Sequence, residues 1–261
     1  MKKNTQDYHD HLIIDQFTRQ AVPFARIPGH SADEATKLLI EMADIGKNDT
    51  ILDAACGPGL LACALAPYVK NVTGIDIVPA MIGLARKAQQ DKKLTNVSWQ
   101  VGNVFPLPYK DNSFSAVTTR YTFHHFLNPM AVLKEMVRVT SPKGRVAVID
   151  VFASSEEKAK AYDRIEKLRD PSHVHTLPLS ELQDLAKKAG LKDLAVKFYK
   201  VEIALEDQLK AAYPKKKSDL DKVRQMATDD IGKDKTGWGL HFKGKDIYTA
   251  LPIAVIVGRT K

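Results

Sequence analysis

The segment Ile51-Leu52-Asp53-Ala54-Ala55-Cys56-Gly57-Pro58-Gly59 constrains this 261-residue chain more than any other. A short apolar run ends in an acid, crosses a glycine turn and enters a helical pattern at Leu60. Glycine tolerates positive φ and lets backbone approach a ligand closely. A turn of this kind at the carboxyl end of a strand is where open α/β sheets bind ligands.

The pattern then repeats. Strands are predicted at 50–54, 72–76, 97–101, 114–119 and 145–151. Helices are predicted at 60–69, 79–90 and 128–140, with a turn at 142–144. Pro79 suits a first helical turn. Strands alternating with helices of this length form a parallel sheet covered on both faces. Upstream, Tyr8, Leu12, Ile13, Phe17 and Ala21 recur at helical spacing over 5–22. Ser31 and Glu34 read as a capping box for a helix ending near Ala43. Downstream, helices are predicted at 158–168 and 180–189, with Gly190 as C-cap. Strands at 194–203 and 248–259 flank a charged insertion, about 205–240, and suggest an antiparallel edge.

Composition excludes several classes. No apolar run nears the roughly 18 residues of a membrane span, and the polar N-terminus lacks a secretory signal. Cys56 and Cys63 form neither a disulfide framework nor a zinc pattern, which fits reduced thiols in the cytoplasm. The net charge of +8 could attract nucleic acid, but the lysines are scattered. The one dense run, Lys215 to Lys217, reads as a solvated loop.

Gly57-x-Gly59-x-x-Ala62 also satisfies a dinucleotide fingerprint, so an NAD-linked oxidoreductase competes. Asp53 opposes it, because a carboxylate there repels a pyrophosphate and welcomes a cationic ligand. Asp76 ends the second strand, where an acid can accept two ribose hydroxyls; it could instead cap the helix that follows.

The ordered series Ile51–Gly59, Gly74-Ile75-Asp76 with Met81, Val101-Gly102-Asn103-Val104 before Pro106-Leu107-Pro108-Tyr109, Phe114–Phe126, and Leu133–Val139 before Pro142-Lys143-Gly144 resembles the class I S-adenosylmethionine-dependent methyltransferases. It is similar to their small-molecule branch, which includes ubiquinone and menaquinone C-methyltransferases. The resemblance covers about residues 45–155. It implies one Rossmann-like domain over 1–261, with a mostly parallel seven-stranded sheet, helices on both faces and an antiparallel edge strand. Within it, 1–45 would be a helical cap, 46–155 the cofactor-binding core and 156–261 the half carrying the insertion.

The resemblance also implies roles. Asp53 and the backbone of Ala55, Cys56, Gly57 and Gly59 would hold the methionine part of S-adenosylmethionine. Asp76 would take the ribose, Ile77 and Met81 would line the adenine, and Asn103 and Val104 would meet its edge. Arg120 would lie beside the sulfonium. S-adenosylhomocysteine would be the product. Ala55 and Lys143 stand where the family often has glycine, and Asn103 where aspartate is common. An amide can still reach the adenine amine through its carbonyl oxygen.

The acceptor side centres on Arg120-Tyr121-Thr122-Phe123-His124-His125-Phe126. The Asn/Asp-Pro-Pro-Tyr signature of nucleic-acid adenine methylation is absent, so a small acceptor is expected, with no nucleic acid, and Phe17, Tyr121, Phe123 and Phe126 hint at an aromatic or apolar one. Neutral imidazole is the available base near pH 7, making His124 and His125 candidates; packing under the loop and capping a helix compete. His173 and His175 form a second cluster with no third metal ligand in view, so no metal is assigned. Arg19 could pair with a cofactor carboxylate or lie on the surface. Phe17 reads as core, and Trp238 could close over substrate. A protein that binds S-adenosylmethionine without methyl transfer is the remaining alternative.

Overall fold

The computed structural model describes residues 2–27 and 33–261, with side chains from Thr5 onward. The capping-box residue Ser31 lies outside the described residues. The elements run α1 (Lys2–Ala25), α2 (Asp33–Met42), β1 (Thr50–Ala54), α3 (Leu60–Leu65), β2 (Asn71–Asp76), α4 (Pro79–Asp91), β3 (Val97–Val101), β4 (Phe114–Arg120), α5 (Pro129–Val139), β5 (Thr140–Val151), α6 (Glu156–Arg169), α7 (Leu179–Lys188), β6 (Lys192–Ala204), α8 (Leu205–Ala211), α9 (Ser218–Asp230), β7 (His241–Lys243) and β8 (Asp246–Arg259).

One sheet carries the order β3-β2-β1-β4-β5-β8-β6, with β7 paired to β8. The first five strands are parallel. At the far end β8 runs antiparallel to both β5 and β6, as the late-strand pattern suggests. The arrangement is Rossmann-like. The sheet has eight strands rather than seven. The extra strand, β7, forms a tight hairpin with β8 around Gly244 (φ 66°) and Lys245. Glycine supplies the positive φ of such a turn. Three residues are too few to show as a sequence period.

Alternate residues of each central strand face opposite sides. Ile51, Ala116, Ala147 and Val255 pack with α2, α3, α6 and α9. Leu52, Val117, Val146 and Ala254 pack with α5 and α7. Helix α1 lays Ile13, Phe17, Ala21 and Phe24 on Val78 and Met81 of the β2–α4 corner. Tyr8, assigned to the same stripe from spacing, is 69% exposed. The charged insertion is largely helical, as α8 and α9. The fully buried Trp238 belongs to this core and meets Tyr162 edge-on at 5.8 Å, so it does not close over a substrate.

Two glycines fix the packing of β2 and α3. A Cβ on Gly74 would stand 2.5 Å from the Trp99 ring and 2.9 Å from Cys56 Sγ. A Cβ on Gly59 would stand 2.5 Å from the same indole. Trp99 is anchored by its Nε1 donating to Gln89 Oε1 at 2.7 Å. Ala55 and Lys143, the two departures from glycine, sit at φ 56° and 59°. Both therefore bear a left-handed strain that glycine would relieve.

Two stability changes follow. Gly74→Ala should lower the urea midpoint by the equivalent of about 2 kcal/mol, and adding Trp99→Val should recover part of it. Lys143→Gly should raise the midpoint by about 0.5–1 kcal/mol.

Candidate functional site

The carboxyl ends of β1, β2 and β4 open into a cavity of about 1170 Å³, its mouth included. Gln6, His9, Asp10, Ile13 and Phe17 of α1 close over it. Two bonds hold that helix in place. Asn103 Nδ2 donates to Asp10 Oδ2 at 2.8 Å, and His9 Nε2 lies 2.8 Å from the His125 carbonyl.

Ten of the eleven residues singled out from sequence for cofactor binding line this cavity: Asp53, Ala55, Cys56, Gly57, Asp76, Ile77, Met81, Asn103, Val104 and Arg120. Gly59 does not. It turns away to receive Trp99, so its missing side chain serves helix–strand packing.

Asp53 is 1% exposed. Its Oδ1 accepts from the Thr118 hydroxyl at 3.1 Å, while Oδ2 is buried without a partner. Burial pushes its carboxyl up to about 7, against the opposing pull of the Thr118 hydroxyl, the Arg120 charge and the Ala62 N–H. An unpaired buried carboxylate oxygen costs several kcal/mol, so this position calls for a cationic or donor ligand.

Asp76 is committed differently. Oδ2 accepts the Gly57 N–H at 2.8 Å and Oδ1 the Val78 N–H at 2.9 Å. The carboxylate therefore fixes the glycine loop and the start of α4 at once. Each oxygen keeps a further lone pair for a ligand hydroxyl. Burial raises its carboxyl to about 6, with the two N–H bonds opposing.

Asn103 departs from expectation. Its Oδ1 accepts the Phe105 N–H at 3.0 Å and its Nδ2 is spent on Asp10. The amide thus pins its own loop to α1, and only one lone pair is left for an adenine amine. Cys56 is a buried thiol pushed well above its ordinary value by burial, so it is no nucleophile. Arg120 lies over the Tyr121 ring, 4.7 Å from its centroid. Tyr121 holds φ 57°, an unfavourable conformation for a bulky residue, at the point where β4 ends.

The two adjacent histidines differ sharply. His124 Nδ1 lies 2.7 Å from Asp150 Oδ1, and its backbone N–H donates to Asp150 Oδ2 at 3.2 Å. Burial alone would lower the imidazole, but the charge and hydrogen bond of Asp150, helped by Glu166 and Asp170, leave it raised. His125 Nδ1 meets the Ser172 carbonyl at 3.1 Å. Burial, and the neighbouring His124 charge, push it down to about 3. His125 is therefore too weak a base at neutral pH. It lines the cavity, with Phe17 edge-on at 5.1 Å, while His124 faces an adjoining cavity.

His173 and His175 share one carboxylate, each 2.7 Å from Asp163, which their bonds and that of the Thr176 N–H hold well below its ordinary value despite burial. Among the described residues no group of His, Cys, Asp and Glu is arranged to hold a metal ion. The cluster instead braces the loop whose Val174 and His175 N–H groups donate to the His124 carbonyl. Arg19 lies outside the cavity, bonded to Asp15 and to the Tyr213 hydroxyl, each at 2.8 Å. Phe17 packs on the cluster of Val78 and Met81 and also lines both cavities. Sequence reading passed over Asp150, although it ends the apolar run Val146–Ile149 just as Asp53 and Asp76 end theirs.

Comparison with known proteins agrees with this geometry. Residues 52–148 match the model of the methyltransferase-domain family. It is 35% identical over 147 residues to an uncharacterized methyltransferase, YcgJ, of Bacillus subtilis. That match spans 56% of this chain and 58% of the relative, under two thirds of its length. It is 29% identical over 183 residues to a demethylmenaquinone methyltransferase of Shouchella clausii, spanning 61% of this chain and 77% of that one. The crystal structure of YcgJ superposes with a TM-score of 0.78 at 25% identity, over 88% of this chain and 99% of that one.

The raised Asp53 carboxyl sets a pH test. A group raised from 3.8 to about 7 favours the folded state when protonated, and that contribution is lost as pH climbs through this window. A cationic ligand needs the ionised form, so its affinity should be about tenfold weaker at pH 6 than at pH 8. Asp53→Asn should abolish that dependence and weaken binding, yet raise the melting temperature at pH 8. Calorimetry and thermal melts at the two pH values read both.

Proposed function

We propose that this chain transfers the methyl group of S-adenosylmethionine to a small-molecule acceptor. The carrying observation is the orphaned Asp53 Oδ2 at the head of the glycine loop. The same cavity holds a second carboxylate, Asp76, whose loop bonds leave lone pairs toward the ligand space. Asp53, at the head of the loop, repels the pyrophosphate of a dinucleotide and suits a molecule with an amino group and a sulfonium; Asp76 serves a ribose in either case.

When bound, S-adenosylmethionine supplies an electrophilic methyl carbon with its leaving group already attached. The residues of the chain bind, align and exclude water. Asp53 takes the α-amino group, and the backbone of Ala55 to Gly57 follows the methionine part. Arg120, the one Arg or Lys lining the cavity among the described residues, offers charge to the carboxylate. Asp76 takes the ribose hydroxyls, and Ile77, Met81 and Val104 provide an apolar slot for adenine. Helix α1, held by Asp10 and His9, closes the cavity against water. No described helix is long and apolar enough to cross a membrane.

Calorimetric titration tests the reading. S-adenosylmethionine and S-adenosylhomocysteine should bind in the micromolar range and NAD should not. Asp76→Ala should cost at least about tenfold in affinity, since it removes hydrogen bonds to a charged acceptor and slackens the Gly57 loop. Binding of NAD alone would reject the assignment.

A further inference from the structure

A second cavity of about 730 Å³, mouth included, adjoins the first and shares Phe17, Phe24, Tyr121 and His125 with it. Its walls are mostly apolar, from Val151 on β5, Val201 and Ile203 on β6, and Leu251 and Ile253 on β8. Its charged groups are compensated. Arg169 pairs with Glu166 through two bonds of 2.5 and 3.1 Å. Asp170 accepts from the N–H and hydroxyl of Ser172 at 2.9 and 2.6 Å. Asp150 is held by His124.

Three uncharged polar atoms are left over. Thr249 donates its hydroxyl to the Ile203 carbonyl at 3.2 Å, so it must accept from Gln208 Nε2 at 2.6 Å. That fixes the Gln208 amide and leaves its Oε1 buried without a partner. Gln20 Nε2 on α1 is likewise buried and unpartnered. These two side chains are 2% and 4% exposed and both line the chamber. Two orphaned amide atoms in one apolar chamber are costly unless a ligand completes them. The third atom is His124 Nε2. With Nδ1 bonded to Asp150, it has no partner among the described residues.

We propose that this chamber is the acceptor site, and that it takes an uncharged, ring-sized molecule bearing a hydroxyl, with Gln20 and Gln208 reading its polar edge and His124, oriented by Asp150, accepting the hydroxyl proton. This rests on the methyl-transfer reading above. A negative charge on the acceptor is disfavoured because the carboxylates of Glu166 and Asp170 line the chamber and its one arginine, Arg169, is already paired with Glu166. The step balances. The hydroxyl proton passes to His124 Nε2, an oxygen lone pair forms the new bond to the methyl carbon, and the carbon–sulfur pair leaves with sulfur as a neutral thioether. The imidazolium is held by Asp150 until it returns the proton to solvent. Groups facing His124 are Asp150 on β5, Glu166 and Arg169 on α6, Asp170 just after it, and the rings of His125 and His173 at 4.4 and 5.4 Å.

The test uses 2-naphthol as a neutral probe and 2-naphthoate as its anionic counterpart, titrated into the full chain with S-adenosylhomocysteine present. 2-Naphthol should bind at least tenfold more tightly than 2-naphthoate. Gln208→Leu and Gln20→Met should each weaken 2-naphthol fivefold or more and leave S-adenosylhomocysteine affinity unchanged, which also reports correct folding. Nitrogen-15 NMR should show His124 titrating above the ordinary histidine value of 6.5 and falling below it in Asp150→Asn. Equal binding of the two probes, or indifference to both glutamine variants, would overturn the chamber assignment while S-adenosylhomocysteine binding persists. Failure of S-adenosylhomocysteine itself to bind would instead strike the methyl-transfer reading beneath it.

Discussion

The site depends on the carboxylate of Asp76. One of its oxygens holds the Gly57 N–H and the other the Val78 N–H, so a single buried acid joins the loop after β1 to the corner after β2. The Cys56 N–H reinforces the join by donating to the Ile75 carbonyl at 3.0 Å. Loop backbone is otherwise free to rearrange, and a ligand site on a loop is only as well formed as its anchors. Because parallel strands β1 and β2 are neighbours, their carboxyl ends meet at one edge, and this tie is short enough to make.

The same arrangement imposes a cost that the protein retains. Asp53 keeps an oxygen buried without a partner, and Ala55 and Tyr121 hold left-handed backbone on either side of it. Strain and unsatisfied polarity concentrate where β1 and β4 end, and the surrounding sheet over-determines them. Trp99 supplies part of that support by filling the space above Gly59 and Gly74. Helix α1 supplies the rest, since Asp10 and His9 fasten it to the loops after β3 and β4.

The two cavities divide the labour by charge. The first presents ionised or readily ionised groups, Asp53, Asp76 and Arg120, to a polar charged ligand. The second is lined mostly by apolar side chains, with Arg169 paired to Glu166 and Asp170 hydrogen-bonded by Ser172. His124 lines the second cavity and the adjacent His125 lines both, yet their chemistry differs. The carboxylate behind His124 raises its basicity, and the carbonyl behind His125 cannot offset burial.

What the sequence determined by itself was local. The alternation of strand and helix, the glycine turn and the acids ending β1 and β2 follow from short-range chemistry, since apolar period, turn φ and strand-end position are properties of a few consecutive residues. Asp53, Asp76 and the glycine turn could be named for that reason, while the other cofactor-side candidates came from the resemblance to a family. The tertiary structure decided whatever depended on distant neighbours. Gly59 was assigned to a ligand, but Trp99, forty residues on, claims its space. Asn103 was read toward the adenine, and only the fold shows Asp10 of α1 taking its amide nitrogen. Gln20 and Gln208 are ordinary helical glutamines in the sequence, and only the packing of α1 and α8 around one chamber leaves their amides orphaned. His124 and His125 are likewise told apart only because Asp150 comes from another strand, and burial and partnership across the fold, not residue type, set what an imidazole can do.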